Sequence, residues 1–310
     1  MNQLDSPLQV LESLSNAIQE VATKVAPSIA CVNTERGRGT GVVWSPEGHI
    51  VTCTHVVGRY RTVQVGLGEN RTLEAKVIGQ DPYLDIALVK AEGEKFNPIK
   101  TADSEKLKVG QFVLALANPF NRRPSITSGI ITSLGGSVRG MGNISLENII
   151  VTDAQLNPGY SGGPLVDVFG KMIGMNTAFV WSRGIATPVN TVKDIVDQLV
   201  KRGKIPRAYL GITPNTIMLP KEIAEQTQNN QDSGVIVLSV ERDSPAKRAG
   251  LLIGDIIVEF DKKPITDAYD LPRILAGELI GKETRLQIVR GEKLKELTIT
   301  PKAAGDETDE

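Results

Sequence analysis

Cysteine and histidine are scarce in this 310-residue chain, which holds only Cys31, Cys53, His49 and His55 of these types. With no Cys-x-x-Cys pair, a zinc site would need all four side chains at once, at a spacing that resembles no usual finger. Two cysteines imply no disulfide framework; they read as buried thiols in a reducing compartment. Charge of either sign is not in excess. Lys and Arg number 35 against 36 Asp and Glu, a net charge of -1, which removes the electrostatic footprint that nucleic acid or an anionic membrane requires. No apolar run reaches the roughly 18 residues of a membrane span. Residues 1–24 lack a basic leader and an unbroken apolar stretch, so the chain as given reads as cytoplasmic. A periplasm or an organelle, reached after loss of a signal or anchor, is the alternative.

What is present fits a soluble globular protein of two domains, with 40% hydrophobic and 23% charged residues. Thirty glycines and 17 prolines make up about 15% of the chain against a usual 12% or so, which favours tight turns and β-rich structure. Leu11, Leu14, Ile18, Val21 and Val25 recur at alternating spacings of three and four, one stripe of an amphipathic helix that needs a partner surface. From Ser28 to about Thr187 the pattern changes to about ten short strands punctuated by turn residues, which predicts an antiparallel barrel or sandwich. Val192, Ile195, Val196, Leu199 and Val200 then share one helical face, with Asn190 or Thr191 as cap and Gly203 as stop. Beyond a linker around Pro206, strands at 210–213, 235–240, 256–260 and 285–289 alternate with helices at 220–228, 244–249 and 267–276.

The chemistry concentrates in Asn157-Pro158-Gly159-Tyr160-Ser161-Gly162-Gly163-Pro164-Leu165. Flanking glycines expose a serine on a turn and let successive backbone amides converge on an oxyanion. An α/β-hydrolase elbow places its histidine after the serine, and none follows Ser161. A general base must therefore be His49 or His55. His49, after Ser45-Pro46-Glu47-Gly48, reads as a solvated turn residue, whereas His55 closes the apolar run 50–53 and is the better base. Of two carboxylates, Asp81 beside Pro82 reads as a turn residue, and Asp85 directly precedes an apolar strand. The order His55, Asp85, Ser161 is that of the chymotrypsin arrangement.

Thr54-His55-Val56-Val57, Asp85 to Lys90, and Thr152-Asp153-Ala154 through Ser161 to Leu165 resemble the three catalytic blocks of the HtrA/Deg serine proteases. Gly39 to Gly48 resembles that family's glycine hairpin, and Tyr209-Leu210-Gly211-Ile212 its PDZ entry. The resemblance covers residues 20–302. It implies a mainly β chain: a helical segment over 1–26, a chymotrypsin-type double β-barrel over 27–203, a linker over 204–208, an α+β PDZ domain over 209–303 and an acidic tail over 304–310.

Carried over, Ser161 is the nucleophile, His55 the base and Asp85 its orienting carboxylate, with the amides of Gly159 and Ser161 as the oxyanion hole. No cofactor or metal is implied. Thr177, Ala178 and Phe179, on a strand expected to wall the specificity pocket, suit a small or medium aliphatic residue. Gln155 stands where trypsin-like enzymes keep an acid, which disfavours basic ones. Arg207, Tyr209, Leu210, Gly211 and Ile212, with Leu271, Ile274 and Leu275 opposite, are expected to hold a peptide C-terminus. Two positions depart from the family pattern: Tyr160 and Cys53 stand where asparagine is usual. If the Tyr160 ring hinders the oxyanion loop, Tyr160→Asn should raise basal activity.

The expected activity is ATP-independent cleavage of unfolded proteins by a homotrimer, or a multiple of trimers, joined through the N-terminal helix. A proteolytically silent PDZ-containing binding protein or holdase is the rival.

Overall fold

The computed structural model describes residues 7–303, apart from 36, 69–70, 94–95, 123, 140–144, 181–182, 204–207, 228–229, 269 and 276–278. The chain divides into two compact units, Met1–Lys204 and Ile205–Glu310. Among the described residues no helix is long and apolar enough to cross a membrane.

The first unit opens on helix α1 (Pro7–Val25), whose apolar stripe is only partly covered. Val21 and Val25 are buried, while Leu8, Leu11 and Leu14 are exposed. The last turn is tied down where Lys24 Nζ donates to the Phe169 carbonyl at 2.8 Å.

Strands β1 (Ile29–Asn33), β2 (Arg38–Val43), β3 (His49–Thr52), β4 (Thr62–Gly66), β5 (Thr72–Asp81) and β6 (Ile86–Ala91) close into a barrel in the order β1-β2-β3-β6-β5-β4. Between β3 and β4 the chain makes one helical turn, α2 (Thr54–Val57). β7 (Phe112–Ala117) and β8 (Ser125–Leu134) start a second barrel. A ribbon of β9 (Ser137–Arg139) and β10 (Ser145–Glu147) follows, and β11 (Ile150–Thr152), β12 (Pro164–Val166), β13 (Met172–Val180) and β14 (Arg183–Pro188) complete the closure. The short alternating runs, which left a barrel or a sandwich open, thus form the double barrel that the resemblance implies, and its inward apolar residues are almost wholly excluded from water.

Helix α3 (Val189–Arg202) packs Val192, Ile195, Val196 and Leu199 inward. It begins earlier than the capping signals predict. Pro188 is the cap residue, and Asn190, instead of capping, binds across to Asp103 and Ser104. Gly203, with φ 69°, ends it as read.

In the second unit, β15 (Ala208–Tyr209) pairs with β22 (Lys302–Ala303). The main sheet runs β16 (Ile212–Met218), β17 (Ser233–Val240), β18 (Ile256–Phe260), β20 (Thr284–Arg290) and β21 (Lys293–Ile299), with β19 (Lys263–Pro264) on β18. Helices α4 (Lys221–Ala224), α5 (Pro245–Arg248) and α6 (Asp270–Ile274) are single turns. The helices predicted over 220–228 and 267–276 are thus shorter than their periodicity implied. For α6 the reason is local: Asp270 Oδ2 accepts from the backbone of Thr266 and Asp267 and from the Thr266 hydroxyl, so helix geometry starts only there. The strand predicted over 210–213 begins two residues later and runs on to Met218.

Candidate active site

His55 projects from α2 at the end of β3, its side chain about half exposed. Facing it is Asp85, which is 1% exposed and precedes β6 in the left-handed region at φ 55°, a conformation aspartate tolerates better than most residues. The unusual backbone aims both carboxylate oxygens at one residue. Oδ1 accepts the His55 backbone N–H at 2.9 Å, and Oδ2 lies 2.6 Å from His55 Nδ1. Asp81, by contrast, caps its own turn, its Oδ1 accepting from Tyr83 and Leu84 at 3.0 and 3.3 Å.

Ser161 lies across the cleft, in the loop before β12. Its Oγ donates to the Thr177 carbonyl at 3.3 Å, and no hydrogen bond joins it to His55. His55, Gly159 and Ser161 nevertheless line one cavity of about 740 Å³. Gly159 holds φ 93° and Gly162 φ 83°; a Cβ on the first would run into Pro119 and one on the second into the Thr40 carbonyl, so glycine is required at both. Among the described residues the amides of Gly159 and Ser161 donate to no protein acceptor, although three amides next to them do. Tyr160 N–H reaches Asn157, Gly162 N–H reaches Asn176 and Gly163 N–H reaches Tyr160.

One residue here was not singled out in the sequence. Thr40, on β2 and fully buried, latches the nucleophile loop to the first barrel. Its Oγ1 donates to the Gly159 carbonyl at 2.7 Å and accepts from Asn118 N–H at 3.0 Å; its own N–H donates to the Ser161 carbonyl at 3.0 Å. The glycines on either side of Thr40 mark a close approach of neighbouring chain but do not name its partner. Thr40→Val keeps shape but strands the Gly159 carbonyl and the Asn118 amide, each worth about 1–3 kcal/mol when unsatisfied. We expect a loss of roughly 2 kcal/mol in urea unfolding and a fall in kcat exceeding that in KM. Equal stability and kcat would remove the latch from the account.

Tyr160 does not crowd the oxyanion loop. Its ring is 4% exposed and packs among Val113, Ala115, Ala117, Leu156 and Leu165, where the alanines leave room for it. Burial pushes its phenol up, with Thr127 pulling the other way. The expectation of a more active Tyr160→Asn is therefore replaced by its opposite. That change opens a cavity and buries an amide, costing about 3 kcal/mol, so denaturation midpoint and activity should both fall.

Cys53 Sγ, His55 and Asp85 offer three donor atoms within 4.8 Å of one another. Burial above all, then the Asp85 charge, drives the Cys53 thiol well above its ordinary range. The thiol points to the Asn176 carbonyl, 3.6 Å away. His49 opens β3 at its far end, with Nδ1 2.9 Å from Ser45 Oγ. Desolvation first and Lys90 second depress its pKa.

Thr177 turns its hydroxyl to Met175 and Thr187 and is buried, so it meets the cleft through its carbonyl. The side chains of Ala178 and Phe179 lie outside the described residues, and Gln155 is exposed.

In the second unit, Gly211 turns at φ 80°, and its carbonyl accepts from Glu241 N–H at 2.9 Å. Among the described residues the amides of Leu210 and Gly211 have no protein acceptor. Tyr209 binds Glu241 through its hydroxyl. β16 is an edge strand, open on one side. Leu271, Ile274 and Leu275 are 2–7% exposed and belong to the core of this unit. Arg207 lies outside the described residues.

Residues 39–175 match the trypsin-like peptidase domain family and residues 210–300 the PDZ domain family. A "Probable periplasmic serine endoprotease DegP-like" of Pseudomonas putida (strain GB-1) is 35% identical over 275 residues, covering 87% of this chain and 57% of the relative. The protein of the same name from Rickettsia conorii is 38% identical over 269 residues, with coverages of 84% and 53%. The chain thus spans little more than half the length of these relatives. Among solved structures, the HtrA-type protease AlgW with tripeptide is 30% identical, with a TM-score of 0.76 over 92% of this chain and 96% of that one. The serine endoprotease from Yersinia pestis is 28% identical, with a TM-score of 0.72 and coverages of 92% and 97%.

Proposed function

The chain belongs to the HtrA family of serine proteases, built from a trypsin-like peptidase domain and a PDZ domain, and on that premise we propose that it is an ATP-independent serine endopeptidase of unfolded or damaged proteins. The observation that carries this reading is the paired His55 and Asp85 facing Ser161 across one cavity, with two unengaged amides beside the serine.

Rotation of Ser161 about χ1 takes its Oγ from the Thr177 carbonyl toward His55. The imidazole then removes the hydroxyl proton as Oγ attacks the scissile carbonyl carbon. Charge developing on the carbonyl oxygen meets the amides of Gly159 and Ser161, each contributing about 3 kcal/mol to the transition state. Asp85 holds Nδ1–H, which keeps the other nitrogen free to act and steadies the imidazolium. His55 then gives its proton to the leaving amine as the C–N bond breaks, and water repeats the sequence on the acyl-enzyme. The bond from Ser161 to Thr177 describes a resting serine, since catalytic contacts often form only with substrate bound. The silent-binder reading gains nothing from Tyr160, whose ring sits in the core.

Residues 209–303 are proposed to bind peptide C-termini. The amides of Leu210 and Gly211, without a protein acceptor among the described residues, offer a carboxylate cradle, and the open edge of β16 can add a peptide strand. The exposed stripe on α1 supports self-association, for which a trimer is the proposed state. The names of both relatives support a periplasmic location rather than the cytoplasmic one read from the first residues.

The test is hydrolysis of reduced, unfolded casein and of a folded globular protein in buffer without nucleotide. Cleavage of the unfolded substrate alone is expected. Dependence on ATP, or no cleavage of either after contaminants are excluded, overturns the reading.

A further inference from the structure

The cavity that joins His55 to Ser161 extends away from β13. Its remaining wall comes from the β1–β2 hairpin and from the end of α2 with the turn that follows, through Glu35, Arg38, Arg59 and Tyr60. Thr177, on the opposite wall of the site, does not line it. This placement identifies the part of a substrate that would lie there. His55 must hand its proton to the departing amine, so the residues that follow the scissile bond have to run along the histidine side.

The chemistry of that wall is lopsided. Val56 and Val57 form a buried apolar floor, and above it stand the exposed guanidinium groups of Arg38 and Arg59. Among the described residues neither arginine is within ion-pair distance of a carboxylate, although elsewhere in the chain Arg285 and Arg290 have found theirs. Glu35 is the lone acid in the lining and leaves one positive charge uncompensated. Half-buried Tyr60 adds a phenol whose hydroxyl makes no hydrogen bond among the described residues. Two free guanidinium forks and a phenolic donor around an apolar floor suit a carboxylate carried on a short aliphatic stem.

We propose that this cleft is a specificity subsite for an acidic side chain, aspartate or glutamate, in the first two residues after the scissile bond. The proposal rests on the endopeptidase reading and adds a substrate class to it. Arg38 and Arg59 are its specificity-determining residues; they touch the leaving segment and take no part in bond breaking.

The experiment uses the full chain and three internally quenched peptides of one sequence, with glutamate, glutamine or lysine at the second position after the cleaved bond. Both termini are blocked, so that no α-carboxylate can stand in for the side chain, and mass spectrometry fixes the bond cut. At low ionic strength kcat/KM should fall from glutamate to glutamine to lysine. Exposed pairs of this kind are worth about two- to fivefold each, so the full span should approach about tenfold. It should shrink in 0.5 M salt, where the Debye length is only a few ångströms. Arg59→Glu and Arg38→Glu should each invert the order in favour of lysine, a result that simple loss of structure does not produce. An order that the variants leave unchanged, or a native enzyme indifferent to the three peptides, overturns the subsite while leaving the peptidase standing. Cleavage of no peptide at all overturns both.

Discussion

Replacing Ser161 with alanine is expected to cut the hydrolysis of unfolded casein by a factor on the order of 10⁴ or more, with the circular dichroism spectrum and melting unchanged. Among the described residues the side chain makes one hydrogen bond, to the Thr177 carbonyl, so little structure depends on it. His55→Ala should fall as far, because members of such a unit are not additive: without a base the serine is no better a nucleophile than free serine. His49→Ala is the internal control. Its imidazole is engaged with Ser45 at the other end of β3, and most of the activity should survive. A dead His49→Ala beside an active His55→Ala would reverse the choice of base.

The second large effect concerns stability in the PDZ unit. Asp255, 1% exposed, takes both Nε and Nη2 of Arg290 at 2.8 Å and also accepts from Leu252 N–H, while Arg290 reaches on to the Gly250 carbonyl. Asp255→Ala removes the anion, leaving the guanidinium with the Gly250 carbonyl alone and the Leu252 amide without its acceptor. Breaking a fully buried pair costs about 3–5 kcal/mol; because Arg290 is 30% exposed, about 2–3 kcal/mol is expected here. In a unit of this size that corresponds to a fall of roughly 10–20 °C in its melting transition. Arg290→Lys, which keeps the charge but loses the fork, should cost less. Calorimetry of the full chain checks both, and a shift under about 2 °C for Asp255→Ala would show that the pair contributes little.

How far the site could be read from sequence follows from which residues act locally. Ser161 declares itself because glycines crowd it, and the chain has no later histidine to pair with. Asp85 is separable from Asp81 by its place at the head of an apolar strand, and the structure adds the left-handed turn that delivers its carboxylate. Thr40 is different. Its role exists only because two barrels meet, and nothing in a glycine-threonine-glycine run predicts a bond to a carbonyl 119 residues away. Tyr160 was misjudged for the same reason: sequence places it beside the nucleophile, but the pleat of the turn sends its ring into a core made spacious by Ala115 and Ala117. Barrel strands were legible because their alternation is strong, whereas the short PDZ helices were over-extended because Asp270 and its neighbours bond side chain to backbone before helix geometry begins.

The claim on which the rest depends is that Ser161 is a nucleophile activated by His55. Mass spectrometry after treatment with a fluorophosphonate tests this most directly, because phosphonylation needs the activated hydroxyl and not a substrate of known sequence. The account predicts a single adduct, mapped to the peptide containing Ser161, present in His49→Ala and absent in His55→Ala. An unlabelled native protein, or an adduct on Ser161 that forms equally fast without His55, would contradict it.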